Sequence, residues 1–205
     1  MLKARIAVFV SGGGTNLQAL IDAQKSGVIK DGEIVLVVSA KRDAYALKRA
    51  EENSIPAVTV VRKEFASQED YEDKLSAIID EEKIDLIVLA GFMSILSGRF
   101  TGKYAGRIIN VHPSLIPSFC GKGFYGLKVH EAALAYGVKG TGATVHFVNE
   151  IPDGGRIIMQ KAVEVKPGDT PEILQRRVME EAEWQILPKA TQRICEKIAG
   201  ERQQF

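Results

Sequence analysis

Ile-Ala-Val-Phe-Val-Ser-Gly-Gly-Gly-Thr-Asn-Leu-Gln-Ala-Leu-Ile-Asp-Ala-Gln-Lys, residues 6–25, is the stretch that decides the fold. Ile6–Val10 is a continuous β-branched and aromatic run, the pattern of a strand buried on both faces. Asn16–Lys25 has helical period. Between them Ser11-Gly12-Gly13-Gly14-Thr15-Asn16 makes a strand-to-helix turn in which glycines let the backbone approach a ligand. A helix start offers unpaired N–H groups and a positive dipole end, which favour an anion such as phosphate. The dinucleotide fingerprint is not met: the third glycine is not at the required spacing, and no acidic residue ends the second strand. A P-loop is excluded because the Gly-Lys-Ser/Thr ending is missing. Two readings of this turn stay open, a phosphate seat and a tight turn without a ligand. The run at 6–10 is too short for a signal-peptide core or a membrane span.

Outward from this stretch the pattern repeats. Ile34–Val38, Ala57–Val61, Leu86–Leu89 and Ile108–Val111 read as strands, and Ala44–Glu52 and Gln68–Glu82 as helices, the latter with Tyr71, Leu75, Ile78 and Ile79 at helical spacing. Apolar strands alternating with helices predict an α/β fold, a doubly wound, mostly parallel sheet with helices on both faces. The character changes after Pro113. Residues 113–126 read as an ordered loop and Leu127–Tyr136 as a helix. Thr144–Val148 and Arg156–Val165 flank Pro152-Asp153-Gly154-Gly155, whose turn chemistry predicts a C-terminal antiparallel addition. Asp169 or Thr170 caps a last helix that begins with Pro171 in its first turn and runs to about Ile198, with an interruption expected near Pro188.

The 205 residues suit a single domain, 1–205, and 45% hydrophobic against 26% charged residues is an ordinary globular balance. With 27 basic and 26 acidic residues the net charge is +1, so no bulk field draws the chain to nucleic acid, and neither a nucleic-acid nor a membrane partner is expected. Cys120 and Cys195 have neither zinc nor disulfide spacing, so no metal is expected and a cytoplasmic setting is.

The second candidate site is Asn110-Val111-His112-Pro113, at the end of a predicted strand. Residues two apart on a strand face one side, so Asn110 and His112 address one pocket, or else satisfy loop backbone groups as buried polar residues. An amide donor to a developing oxyanion beside a proton-moving histidine suits acyl transfer. Asp153 is either a turn residue or a carboxylate folded back onto His112 that favours its protonated form. His130 reads as a solvated helix residue and His146 as a packing or paired strand residue. Cys120 follows Phe119 in the loop, with nothing nearby to lower its pKa.

Five segments then stand out in order: Ser-Gly-Gly-Gly-Thr-Asn-Leu-Gln (11–18), Leu-Ala-Gly-Phe-Met-Ser-Ile-Leu-Ser (89–97), Ile-Asn-Val-His-Pro-Ser-Leu-Ile-Pro (109–117), Thr-Gly-Ala-Thr-Val-His-Phe-Val (141–148) and Pro-Asp-Gly-Gly (152–155). Together they resemble the glycinamide ribonucleotide formyltransferases over nearly the whole chain. The resemblance implies formyl transfer from 10-formyltetrahydrofolate, as co-substrate, to the amine of 5'-phosphoribosylglycinamide. It implies a nucleotide- or phosphate-binding half, 1–100, and a folate-binding and catalytic half, 101–205. Gly14, Thr15 and Asn16 match the phosphate segment and Glu183 a residue that meets the ribose hydroxyls. Met93, Ser94, Ile95 and Leu96 match a folate-binding stretch, and Asn149, Glu150, Ile151, Pro152 and Asp153 a loop over the pterin. Asn110, His112 and Asp153 match the catalytic trio, with Asn110 and Asp153 also against the folate. Two departures concern the folate's polar contacts: Ser94 stands where many members have arginine, and Gln68 where some do. The resemblance implies a monomer or weak homodimer.

The rivals are a formyltetrahydrofolate hydrolase, a transfer-RNA formyltransferase and a non-catalytic nucleotide-binding module. The hydrolase usually carries an extra N-terminal domain, and here the first strand begins at about residue 5. The transfer-RNA enzyme usually adds a C-terminal domain and gains from a basic surface. A binding module has no need of Asn110, His112 and Asp153 together.

Overall fold

The structure, a computed structural model, describes residues 3–202. The outermost residues of the expected 1–205 domain, 1–2 and 203–205, lie outside the described residues. The strands are β1 (Ala4–Val10), β2 (Gly32–Ser39), β3 (Ala57–Thr59), β4 (Leu86–Leu89), β5 (Ile108–His112), β6 (Gly140–Phe147) and β7 (Ile157–Glu164). The helices are α1 (Thr15–Lys25), α2 (Tyr45–Glu52), α3 (Gln68–Glu81), α4 (Gly98–Lys103), α5 (Leu127–Tyr136), α6 (Pro171–Val178) and α7 (Trp184–Glu201).

One seven-stranded sheet runs in the order β3-β2-β1-β4-β5-β6-β7. β1 pairs in parallel with β2 and β4, and β4 with β5, so β1 and β5 end at the same edge. β6 and β7 are antiparallel, the predicted C-terminal addition. Strand order reverses between β1 and β4, a switch point where open α/β sheets form a ligand crevice. The central strands of the sheet are buried on both faces. Ile6, Val8 and Val10 pack with residues of α1, α2, α6 and α7, while Ala7 and Phe9 pack with those of α3 and α4. This two-sided burial explains why the strand runs are continuous rather than alternating.

Local chemistry sets the helix ends. Ser67 and Asp70 form a reciprocal capping box at α3. Of the two candidate caps for the last helix, Thr170 is the one used, accepting from Ile173 N–H with Pro171 just inside.

Four local expectations are corrected. The third strand stops at Thr59 rather than Val61, because the chain turns into a 3₁₀ turn at Arg62–Glu64. α4 was not foreseen: two glycines in six residues hide its period, and burial of Phe100 and Thr101 under a Ser97 cap sustains it. The last helix is interrupted at Met179–Glu183, a π-helical turn, and not at Pro188, which lies inside α7. Proline crowds the carbonyl four residues before it, and the helix widens in the turn immediately upstream. Finally, His130 is fully buried rather than solvated, since α5 turns Val129, His130 and Ala133 inward.

Candidate active site

Asn110 and His112 lie on β5, two residues apart as the alternation requires. Their surroundings come from the antiparallel addition. β6 pairs Asn110 directly with His146, and the Asn110 amide nitrogen lies 3.2 Å from His146 Nε2. His146 Nδ1 lies 2.8 Å from the Phe147 carbonyl, which accepts only from an N–H. Nε2 is therefore the acceptor of one Asn110 amide hydrogen, and the second hydrogen stays available.

Asp153 arrives from the Pro-Asp-Gly-Gly turn with a positive φ of 56°. A Cβ on Gly155 would meet the Phe147 carbonyl oxygen at 1.7 Å, so only glycine lets the turn fold back this tightly. Asp153 Oδ2 lies 3.5 Å from His112 Nδ1 and Oδ1 lies 3.6 Å from His146 Nε2, while Gly121 N–H donates to Oδ2 at 2.8 Å. Burial works against the Asp153 carboxylate, but the His112 ring and the Gly121 N–H favour its charged form, and its pKa is lowered. It is charged at neutral pH. His112 Nε2 meets the Phe119 carbonyl at 2.9 Å, so the face of the ring turned to Asp153 is Nδ1.

The loop between β5 and α5 is ordered, as expected, by buried polar groups. Thr144 Oγ1 donates to Ser114 O at 2.7 Å and accepts from Ile116 N–H at 3.1 Å. The Cys120 thiol is pushed up by burial, with Asp153 adding to it, which keeps it protonated.

A cavity of about 160 Å³ adjoins the trio and is lined by Ser94, Ile95 and Leu96, by Asn110 and His146, and by Asn149 to Asp153. Met93 is not among its walls: its N–H donates to Ser11 Oγ at 2.9 Å across the switch point and its side chain is about half exposed. Ser94–Leu96 are fixed from behind by Glu72, a buried carboxylate on α3. It accepts from Ser97 N–H at 2.7 Å, from Ser97 Oγ at 2.6 Å and from Gln68 Nε2 at 2.7 Å. Gln68 also donates to the Ile95 carbonyl at 3.0 Å. Gln68 thus binds the loop itself.

At the other end of the crevice, Gly14 caps α1 with φ 70° and no side-chain cap, leaving the first-turn N–H groups open. Asn16 is buried and its amide donates to Glu183 Oε2 at 2.7 Å. The widened turn of the last helix carries Glu183, and burial pushes its carboxyl up, opposed by the Asn16 bond. A cleft of about 610 Å³ on the outer side of α1, lined by Thr15, Arg49, Trp184 and Lys189, has none of the trio in its walls. The structure brings together every residue of the trio and joins Asn16 to Glu183.

Two buried polar residues, Glu72 and His130, were missed or misjudged, while His146 is the paired strand residue expected. Glu72 stands on the apolar face of α3, three residues before Leu75 and seven before Ile79, so a lone carboxylate on that face was the signal that could have found it. His130 has no hydrogen-bond partner on either ring nitrogen among the described residues, and burial, helped by His112, pushes its pKa down to about 4. Among the described residues no group of three or more His, Cys, Asp or Glu is arranged to hold a metal ion, and no helix is long and apolar enough to cross a membrane.

A doubly wound sheet with an amide donor, a histidine and a carboxylate at the carboxyl edge, and no activated nucleophile beside them among the described residues, has the make-up of an α/β group transferase. Comparison with known proteins agrees. The model of the formyl transferase family matches residues 4–191. The phosphoribosylglycinamide formyltransferase of Haemophilus influenzae is 44% identical over 184 residues, covering 90% of this chain and 84% of that one. The crystal structure of glycinamide ribonucleotide transformylase 1 from Symbiobacterium toebii is 39% identical, with a TM-score of 0.88 over 95% of this chain and 89% of that one. The chain belongs to the phosphoribosylglycinamide formyltransferases of the formyl transferase family. It is also 45% identical over 193 residues to the trifunctional purine biosynthetic protein adenosine-3 of Gallus gallus, of whose length it spans 18%.

Proposed function

We propose that this chain transfers the formyl group of 10-formyltetrahydrofolate to the amine of 5'-phosphoribosylglycinamide, in a cytoplasmic, monomeric or weakly dimeric enzyme. The observation that carries this reading is the convergence of Asn110, His112 and Asp153, from β5 and a turn far along the chain, beside a cavity walled by Ser94–Leu96 and Asn149–Asp153. The first half, 1–100, seats the phosphate at Gly14, Thr15 and Asn16, with Glu183 near the ribose. The second half, 101–205, supplies the catalytic groups and the 149–153 loop over the pterin. Met93, Ser94, Ile95 and Leu96, though in the first half, border the folate.

The substrate amine attacks the formyl carbon directly, forming a C–N bond as the carbonyl π electrons move to oxygen. The free Asn110 N–H, its partner hydrogen held by His146, donates to that oxygen. The attacking nitrogen loses a proton and the folate nitrogen gains one as its bond to the formyl carbon breaks. Charged Asp153 orients the His112 ring through Nδ1, and the pair, with a water drawn in beside them, passes the proton between the nitrogens. No covalent enzyme intermediate is needed.

The test is folate release measured with and without glycinamide ribonucleotide. Release only with the ribonucleotide, matched by formylated product, supports transfer. Equal release without it means water is the acceptor, and the reading gives way to the hydrolase.

A further inference from the structure

Arg49 of α2 has no part in the scheme above, yet it is tied to the glycine loop. Its Nε donates to the Gly13 carbonyl at 2.9 Å and its Nη1 to Gln18 Oε1 of α1 at 3.1 Å. Its guanidinium carbon lies 5.1 Å from the centre of the Tyr45 ring, which steadies the plane. The same helix meets the two neighbouring glycines. Ala46 N–H donates to the Gly12 carbonyl at 3.1 Å, and a Cβ on Gly14 would fall 2.7 Å from Ala46 Cβ. In a trans peptide the carbonyl and the next N–H point in opposite directions. With the Gly12 and Gly13 carbonyls turned to α2, the N–H groups of Gly13 and Gly14 turn away from it. They join the open N–H groups at the start of α1.

We propose that Arg49 is the positioning residue of the anion cradle: it fixes the Gly13–Gly14 peptide so that its N–H faces the substrate phosphate. This rests on the reading of the loop as the phosphate seat. Arg49 itself need not touch the phosphate. The Ala46 N–H holds the Gly12 peptide through backbone alone, but the Gly13 peptide depends on a side chain. Arginine suits that place because its planar fork bonds the loop and α1 at once, which lysine cannot do with the same rigidity.

The experiment measures full-chain wild type, Arg49→Met and Arg49→Lys for the KM of glycinamide ribonucleotide and of the folate, for kcat, and for inhibition by the corresponding nucleoside without phosphate. Arg49→Met is expected to raise the ribonucleotide KM about tenfold, the loss of one charge-assisted hydrogen bond, with much smaller changes in folate KM and kcat. Nucleoside inhibition is expected to stay the same, because the nucleoside has no phosphate to lose contact with. Arg49→Lys, which keeps one donor, falls between, and carries the test if the methionine variant does not fold. A ribonucleotide KM that stays at the wild-type value, or a nucleoside constant that weakens equally, overturns the proposal. Wild type separates the two layers of the argument. If wild type binds ribonucleotide no better than nucleoside, the loop is not a phosphate seat and both readings fall. If it discriminates and Arg49→Met discriminates as well, Arg49 alone is wrong.

Discussion

The two ends of the crevice are held by different means. The glycine loop after β1 is shaped largely by backbone: a positive φ at Gly14, an Ala46 N–H on the Gly12 carbonyl and a helix start with open donors, with Ser11, Asn16 and Arg49 adding bonds at its ends and flank. The far end, the segments after β4, β5 and β6, is shaped by side chains: Glu72 and Gln68 behind 94–97, Thr144 and His112 behind 113–121, and Asp153 on Gly121. A backbone-built site tolerates sequence change so long as glycine and small residues persist. A site built of side chains concentrates its energy in a few buried polar groups, whose removal leaves partners unsatisfied. Single substitutions should therefore bite harder, and more selectively, at the far end.

The largest effect is expected at Asn110. Asn110→Ala should keep the fold and lower kcat about 10²–10³-fold, the usual cost of one oxyanion donor. A kcat within severalfold of wild type in a folded variant breaks the assignment.

Asp153→Asn should lower turnover about a hundredfold, since it removes the carboxylate that orients His112 in the proton relay. Because the folded Asp153 carboxyl is lowered, any stability it contributes is present above the unfolded value of about 3.9 and lost as pH falls through the folded one. Melting curves of wild type and variant should thus converge in acid below that range and differ near neutral pH. Parallel curves at every pH would mean that the charge is not held by its neighbours.

His130→Leu tests the same region with the opposite sign. Burial without a partner costs stability, so a leucine of similar size should stabilise by about 1 kcal/mol. The His130 pKa falls from 6.5 to about 4 on folding, so wild-type stability drops as pH goes from 6.5 down through 4, when the unfolded chain takes a proton that the folded one refuses. The advantage of the variant should widen between pH 7.5 and about 5. Destabilisation at both values would reveal a partner for His130 that the fold does not supply.

The smallest effect is expected at Glu72, which touches no substrate. Glu72→Ala should raise the folate KM about fivefold through the freed Ser97 and Gln68 groups, while the ribonucleotide KM holds. Equal changes in both constants would erase the distinction between the two ends.

Much of the fold was legible because strand and helix periods are local. β1, β4, α1 and α3 were placed within two residues, and Thr170 was one of two caps named. α4 escaped because its glycines carry no period. Pro188 misled because proline is a local signal for a break that the chain moved one turn upstream. In the site, Asn110 and His112 were paired by alternation along one strand. Asp153 stayed open between a turn residue and a carboxylate folded back onto His112, Glu72 showed only as a charge on the apolar face of α3, and His130 gave no local sign of its surroundings.

What the sequence determined by itself was periodicity and local stereochemistry: a parallel α/β sheet, a glycine turn opening a helix, and an amide and a histidine on one face of a strand. These follow from backbone geometry within a few residues. What only the tertiary structure decided was which polar groups lose water and which neighbours replace it. Asp153 meets His112 and His146 because two antiparallel strands carry its turn back over β5, and Glu183 meets Asn16 because a widened turn of the last helix faces α1. Desolvation and hydrogen bonding across such distances in the chain depend on packing, and packing is set by the whole fold at once.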